Sequence, residues 1–283
     1  MSTIGSLRTT ARSLLKEAGI ISYMIDVDAL LMHVLNIDKN TLLTGLRRPV
    51  IDNHIDKFMC LVETRCSHMP IQQLTGKCEF MSLEFAVDHN VLVPRPDTEI
   101  LVEAILKAEK IEDTKGLEIG VGSGCISISL EYYSKDIEMY GVDISPEAVK
   151  IANKNHNSIQ CSDRKDIFII SDLFKNVPRG TFFDFVVSNP PYIETDEIEL
   201  LDSCVKDFEP RDALDGGKDG LKFYREIVEQ AKDYLKKDGR IYFEIGYNQA
   251  QAVKDILATA GYVDIKVLND YAGKDRVVLA RRI

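Results

Sequence analysis

The chain has 283 residues, 45% hydrophobic and 28% charged, proportions of a globular domain that set aside disordered, collagen-like and coiled-coil classes. Thirty-five Lys and Arg against 45 Asp and Glu leave a formal charge of -10, and no dense basic block relieves it, so nucleic acid is a disfavoured partner. Six cysteines (Cys60, Cys66, Cys78, Cys125, Cys161 and Cys204) form no C-x-x-C pair and five histidines form no H-x-x-x-H pattern, which predicts reduced thiols, mostly core filler, and no metal.

No apolar run reaches the roughly 18 residues that span a bilayer, so neither a membrane partner nor an address other than the cytoplasm is expected. The opening stretch is acid-free until Glu17, as a mitochondrial leader would be. Its Leu7, Ala11, Leu14, Leu15 and Ala18 nevertheless share one helical face, which predicts a first helix. A second runs from Asp26 to Leu35 with Asp26 and Asp28 in its opening turn, a short one covers Thr41 to Leu46, and a fourth carries Ile55, Phe58, Met59 and Val62 between Asp52 and Arg65. Residues 1–75 therefore read as a helical bundle without the chemistry of a site, suited to binding or orienting something. Residues 76–94 read as a β-hairpin linker, with Phe80 to Val87 and Val91 to Val93 as strands and Asp88-His-Asn90 as the turn. Pro94 and Pro96 stop the second strand, and Asp97 or Thr98 caps a helix whose buried face is Ile100, Leu101, Ala104 and Ile105.

From Gly116 strands and helices alternate, which predicts an α/β domain over residues 95–283 with a mostly parallel sheet covered on both faces. Strands are expected at Leu117–Ile119, Ile137–Val142, Ile167–Ile170, Phe183–Ser188, Arg240–Ile245, Val263–Val267 and Arg276–Ala280. Helices are expected at Cys125–Tyr132, from Pro146, at Leu221–Leu235 and at Gln249–Ala260.

Gly120-Val121-Gly122-Ser123-Gly124 lies between a strand and a helix, where glycines let a ligand rest on the backbone. Cys125 stands where a dinucleotide fold would carry the last glycine of G-x-G-x-x-G, and Glu118 precedes the loop, which favours a nucleoside ligand without pyrophosphate. Asp143 ends the next strand 23 residues after Gly120, near the roughly 20 expected of an acid that accepts from ribose hydroxyls. Asp172 ends the strand after that, where an adenine would lie, with Leu173 and Phe174 to flank the base. Three such features at successive strand ends point to S-adenosylmethionine, with S-adenosylhomocysteine as the product and no metal.

Ser188-Asn189-Pro190-Pro191-Tyr192 sits at the end of the fourth strand, beside the switch point where such sheets bind ligands. A planar amino group is a poor nucleophile because its lone pair is delocalised. The Asn189 side-chain oxygen and the Pro190 carbonyl can each accept one of its N–H bonds and free that pair, while the prolines hold the loop still. Tyr192 is expected to stack on the flat substrate group.

In Pro70-Ile-Gln-Gln-Leu-Thr-Gly76, Val93-Pro-Arg-Pro-Asp-Thr-Glu99, Ser188-Asn-Pro-Pro-Tyr-Ile193, Glu209-Pro-Arg-Asp-Ala-Leu-Asp-Gly-Gly217, Asp219-Gly-Leu-Lys-Phe-Tyr224 and Phe243-Glu-Ile-Gly246 the chain resembles the HemK/PrmC family of release factor glutamine methyltransferases along its whole length. The resemblance implies methylation of the glutamine amide in the Gly-Gly-Gln loop of bacterial class 1 peptide chain release factors, on a seven-stranded Rossmann-like sheet with an antiparallel last strand. It implies that residues 1–75 recognise substrate, that 95–283 form the methyltransferase domain, that Gly120 to Gly124 line the methionine and ribose, and that Asp143 binds the ribose. It further implies that Asp172 and Leu173 meet the adenine and that Asn189 to Tyr192 hold the glutamine amide. Gln73 replaces the family's usual Tyr and Leu173 a bulkier aromatic, which touches a domain-interface or substrate-loop contact and the strength of adenine stacking respectively. A monomer is expected. Glu209 to Arg211 read either as a rigid turn with a surface ion pair or as a loop over the active site contacting the substrate backbone, and Glu244 as the end of a strand placed to cap a neighbouring loop. The rival reading is a nucleic-acid amine methyltransferase with the same loop, against which the charge speaks.

Overall fold

A computed structural model describes residues 2–109, 113–160, 164 and 167–283, so Cys161 lies outside the described residues. Two compact units make up the chain, one of residues 1–77 with 202–208 and the other of 78–201 with 209–283.

The first unit is helical. Thr3 opens α1 (Ile4–Glu17): its hydroxyl accepts from the Ser6 N–H at 3.2 Å while the Ser6 hydroxyl accepts from the Thr3 N–H at 2.9 Å, so two exposed amides are satisfied reciprocally. Ile4, Leu7, Ala11 and Leu15 give α1 its buried stripe; Leu14 and Ala18 lie at its margin. The bundle continues through α2 (Tyr23–Leu35), α3 (Lys39–Thr44), α4 (Asp52–Cys66) and a helix the periodicity did not reveal, α5 (Ile71–Thr75). Asp26 does not act as an exposed first-turn acid. It is buried, accepts from Arg65 Nε at 2.8 Å and from the Ser22 hydroxyl at 2.8 Å, and so ties α2 to α4. Asp28 takes Arg8 and Arg12 from α1. Gln73 donates through Nε2 to the Phe208 carbonyl at 2.9 Å, so the residue that departs from the family pattern anchors segment 202–208 to this unit.

The second unit begins with a hairpin, but not the one expected. Its strands are β1 (Lys77–Phe80) and β2 (Leu83–Ala86), joined by Met81-Ser82, both in the left-handed region at φ 49° and 58°. Two such residues are usually Asn-Gly, so nothing local announces the turn. Tertiary bonds hold it: the Glu99 carboxylate accepts from the Met81 N–H at 2.7 Å, and Tyr133 donates to the Met81 carbonyl at 2.5 Å. Asp88 does form a turn, its carboxylate accepting from the Asn90 N–H at 2.8 Å, yet Val91 and Val93 are buried without joining a strand. After a 3-10 turn over Pro96–Thr98 comes α6 (Glu99–Ala108), whose start receives no side-chain cap from Asp97 or Thr98.

Then follow β3 (Thr114–Ile119), α7 (Cys125–Tyr133), β4 (Ile137–Asp143), α8 (Pro146–Ile159), β5 (Phe168–Ile170), β6 (Phe183–Ser188), α9 (Ser203–Lys206, in the first unit), α10 (Lys222–Ala231), β7 (Leu235–Glu244), α11 (Ala250–Thr259), β8 (Val263–Asn269) and β9 (Asp275–Arg281). Leu235, expected to close α10, opens β7 instead and pairs with Phe183; an apolar side chain fits either period. The sheet order is β5-β4-β3-β6-β7-β9-β8, with β9 antiparallel to both neighbours and the other pairings parallel, as the resemblance implies. Alternate residues serve opposite cores: Phe185, Val187 and Tyr242 face α6, α7 and α8, whereas Val186, Ile241 and Phe243 face α10 and α11. The register sets Ile119 beside Val142 and Ser188, Asp143 beside Ile170, and Ser188 beside Phe243, so the carboxyl ends of five strands share one edge. The chain leaves β3 outward through β4 and β5 and returns to β6 on the other side, which makes that edge a switch point. Among the described residues no helix is long and apolar enough to cross a membrane. Of the described cysteines only Cys78 and Cys125 are core filler; Cys60 is exposed and Cys66 and Cys204 half-buried, and none is paired.

Candidate active site

The switch-point edge carries a cavity of about 1070 Å³. Gly120, Val121, Gly122, Ser123, Asp143, Asp172, Leu173, Asn189, Pro190 and Pro191 line it, and Glu118 lies at its base. Gly120 and Gly122 have φ of +77° and +53°, and a Cβ added to either would meet nothing within 4 Å, because that space belongs to the cavity. Asp143 secures this loop from the neighbouring strand: one carboxylate oxygen accepts from Gly122 N–H and the other from Ser145 N–H, each at 2.9 Å. Each oxygen can accept again, so capacity remains for two hydroxyl groups of a ligand.

Three expected residues are placed otherwise. Gly124 opens α7, and a Cβ there would collide with Ile128 and Ala152, so it serves helix packing rather than the cavity lining. Phe174 is buried in the core on Tyr234, ring centroids 4.9 Å apart, and cannot flank a base. The cause is Leu173, whose φ of 49° turns the chain so that Leu173 meets the cavity and Phe174 the core. Ser171 holds that turn, donating to the Leu173 carbonyl at 2.8 Å and accepting from Asn176 N–H at 2.9 Å. Tyr192 is absent from the lining as well; it packs towards the core under α10, with its hydroxyl 3.4 Å from Glu244 Oε1.

Asn189 and Pro190 follow directly on Ser188, whose hydroxyl donates to the Ile119 carbonyl at 2.6 Å and pins the ends of β6 and β3 together. Asn189 Nδ2 points to Thr98 Oγ1 at 3.4 Å. Segment 216–220 backs the loop closely: Gln249 Nε2 bonds the Tyr192 carbonyl at 2.9 Å, and a Cβ on Gly220 (φ +66°) would stand 2.4 Å from that same oxygen. Gly220→Ala is therefore expected to cost roughly 1–3 kcal/mol by overpacking and to displace the loop. A lowered denaturant midpoint together with reduced turnover would bear this out, and an unchanged midpoint would refute it.

Several lining residues had no role assigned from sequence. Pro210, Asp212, Ala213 and Asp215 form one wall, held by Glu209, whose buried carboxylate receives Arg95 at 2.6 and 2.7 Å. Arg211 meanwhile pairs on the surface with Glu199 at 3.0 Å. The surface ion pair of the first reading is thus present at Arg211, and the segment that Glu209 holds lines the cavity. Ile144, exposed beside Asp143, and Phe223 add to the apolar lining; both sat in stretches whose pattern was visible but whose facing was not. Asp143, Asp172, Asp212, Asp215 and Glu226 face the cavity against Arg95 and Lys222, five carboxylates to two cations, which favours a cationic ligand over a phosphate backbone. Among the described residues no group of three or more His, Cys, Asp or Glu is arranged to hold a metal ion.

Two buried carboxyls give the site a pH signature. Burial pushes Glu118 up to about 8, against hydrogen bonds from the Ser127 amide and hydroxyl, and pushes Glu244 up to about 7. Both hold in the folded chain a proton that the unfolded chain releases near 4.5. Their stabilisation is complete below that value and is lost as pH climbs through 7 and 8. Melting temperature should thus fall between about pH 5 and 8, and Glu118→Gln should flatten the upper part of that fall. An equally steep decline in the variant would show that Glu118 is not its source.

The PrmC N-terminal domain family matches residues 6–76 and the methyltransferase small domain family residues 95–207. A release factor glutamine methyltransferase of Clostridium acetobutylicum is 44% identical over 96% of this chain and 96% of its own length. One from Thermodesulfovibrio yellowstonii is 38% identical over 91% and 92% respectively. Among solved structures, a methyltransferase from Pyrococcus furiosus superposes with a TM-score of 0.55 at 19% identity, covering 82% of this chain and 99% of that one, a likeness of fold alone.

Proposed function

The chain belongs to the release factor glutamine methyltransferase family, and on that footing we infer that it transfers a methyl group from S-adenosylmethionine to the side-chain amide nitrogen of a glutamine in a peptide chain release factor. The glutamine is that of the Gly-Gly-Gln loop of class 1 factors, and residues 1–75 supply recognition of the factor. The chain acts as a monomer in the cytoplasm, without direct contact to nucleic acid. The observation that carries this reading is that Asn189 and Pro190 open from the end of β6 on the same cavity as the Gly120–Ser123 cradle and Asp143.

The residues present suit the cofactor. Open space over Gly120 and Gly122 accommodates a ligand on the backbone, Asp143 retains acceptors for ribose hydroxyls, and the carboxylate excess suits a cationic donor. Leu173 and Ile144, rather than Phe174, offer apolar surface to the adenine beside Asp172. S-adenosylmethionine, when bound, supplies a methyl group activated by its sulfonium. Asn189 Oδ1 and the Pro190 carbonyl accept the two amide N–H bonds, fix the direction of the nitrogen and draw it towards tetrahedral geometry, so that its lone pair faces the methyl. The prolines preorganise the carbonyl at no cost in motion during reaction. No general base precedes attack, because the methylated nitrogen is acidic and sheds its proton afterwards. Tyr192 acts from behind the loop.

Methyl transfer from labelled S-adenosylmethionine to an unmethylated release factor, to the same factor with its Gly-Gly-Gln glutamine changed to alanine, and to bulk RNA and DNA tests the proposal. Label on the first alone is expected. Label on nucleic acid alone would replace it with an amine methyltransferase acting on bases.

A further inference from the structure

Most charges of the Val93-Pro-Arg-Pro-Asp-Thr-Glu99 stretch are committed to the fold: Asp97 pairs with Arg276 at 3.1 Å, and Glu99 holds the Met81 turn. Arg95 is only partly committed. Its side chain lines the cavity and is 40% exposed, whereas the Glu209 side chain that it meets is wholly buried. Nη2 alone spans both oxygens of that carboxylate, at 2.6 and 2.7 Å. A guanidinium carries five N–H donors in a planar fork, so Nε and Nη1 keep three. Among the described residues none of these three has an acceptor. The fork is thus anchored from behind and open in front.

Its position assigns it to one end of the cavity. The Arg95 carbonyl accepts from the Thr98 N–H at 3.0 Å, and Thr98 Oγ1 is the atom that Asn189 Nδ2 approaches at 3.4 Å. Arg95 therefore stands one turn from the residue proposed to hold the amide. On its other flank, Glu209 opens the wall that runs to Asp215, and this wall is tied to the chain leaving Tyr192. Ile193 N–H donates to the Leu214 carbonyl at 3.1 Å, and Gly216 N–H to the Ile193 carbonyl at 2.8 Å. Asp143 and Asp172 belong to the ends of β4 and β5, on the far side of β3 from that loop.

What the fork binds must accept hydrogen bonds, and charge selects the kind. Arg95 with Glu209 is a neutral pair in a cavity of excess carboxylate, so an anionic group placed there would be repelled and a neutral carbonyl oxygen would not. Main-chain carbonyls are such acceptors, and glycines leave them bare of side chains, so that a guanidinium can reach them. We propose that Arg95 binds the acceptor polypeptide, donating from Nε and Nη1 to main-chain carbonyl oxygens of the glycines that precede the glutamine, with Glu209 holding its fork in place. The inference rests on the function proposed above. A nucleobase has no main chain to offer, so the same contact selects polypeptide.

Truncating Arg95 alone would leave Glu209 buried and unpaired, so the main variant removes both charges, Arg95→Met with Glu209→Leu. Arg95→Lys keeps the charge and loses the fork. The test measures kcat and KM for a release factor with the full chain and these variants. Calorimetry adds Kd for S-adenosylmethionine and for methylthioadenosine, which has no carboxylate. The double variant should raise KM for the factor about tenfold or more and Arg95→Lys by less, with kcat within about threefold and both Kd values within about twofold of the parent. A release factor with alanine in place of the glycine next to the glutamine supplies the second arm. Its Cβ obstructs the same contact, so the loss it causes with the parent should largely vanish with the double variant. Losses that simply multiply would show that Arg95 only supports the wall, and would overturn the proposal, as would a KM unchanged in the double variant. Weakened S-adenosylmethionine binding with methylthioadenosine unaffected would overturn it too, by giving the fork to the cofactor's carboxylate. If the double variant does not fold, the same cycle with Arg95→Lys decides between these outcomes. A parent chain that binds cofactor yet methylates no release factor would overturn the proposed function, and this contact with it.

Discussion

Replacing Asn189 by alanine is expected to lower kcat by on the order of 10²–10³-fold, the loss that follows removal of one preorganised polar group from the reacting atoms. The side chain sits at the end of β6 in the cavity wall, and Ser188 clamps the backbone before it to β3, so truncation removes the acceptor without moving the strand. Cofactor should still bind, because the Gly120–Ser123 cradle and Asp143 are untouched. Asn189→Asp keeps an acceptor but has no N–H to offer Thr98, and its rate should fall between parent and alanine. Steady-state methylation of a release factor, with cofactor binding measured separately, reads this out. A kcat within about threefold of the parent for the alanine variant would remove Asn189 from the chemistry.

Changing Asp143 to alanine is expected to have the second large effect, on affinity rather than turnover. Its two oxygens already hold Gly122 and Ser145, and the proposed ribose contacts use their remaining lone pairs. Hydrogen bonds to an ionised group are worth about 1.5–3 kcal/mol each. Losing two should raise the cofactor Kd on the order of 10²–10⁴-fold, with a further share from the loosened loop. At saturating cofactor, kcat should change far less. Calorimetric titration of S-adenosylmethionine into parent, Asp143→Asn and Asp143→Ala should give a graded series. An unaltered Kd in the alanine variant would place the ribose elsewhere.

Much of the site was legible without coordinates. Gly120, Asp143 and Asn189 each follow a run of strand residues, and parallel strands carry their chemistry at their carboxyl ends. Recognising strands in order was therefore enough to predict that three distant segments meet. Which way a side chain faces was not legible in the same manner. Leu173 and Phe174 are adjacent and both apolar, and only the left-handed turn held by Ser171 sends one to the cavity and the other to Tyr234. Tyr192 carried the promise of its loop, but packing beneath α10 and the nearness of Glu244 turn it away from the lining. Met81-Ser82 lacks any turn chemistry; Glu99 and Tyr133 impose the turn from elsewhere in the chain.

The sequence by itself determined the α/β class, the helical first region, the glycine loop, the acid at the end of the next strand and the Asn189-Pro-Pro-Tyr192 loop at the end of the fourth, because each depends on local periodicity or on residue types at fixed spacing. The tertiary structure alone decided what closes the cavity and what orients it. Glu209 needed Arg95, 114 positions away, and Tyr192 needed Glu244, 52 positions on, before either side chain had a place beside the cavity. Such pairings depend on which atoms share a buried space, and burial makes each unsatisfied proton or lone pair costly enough to select a single arrangement.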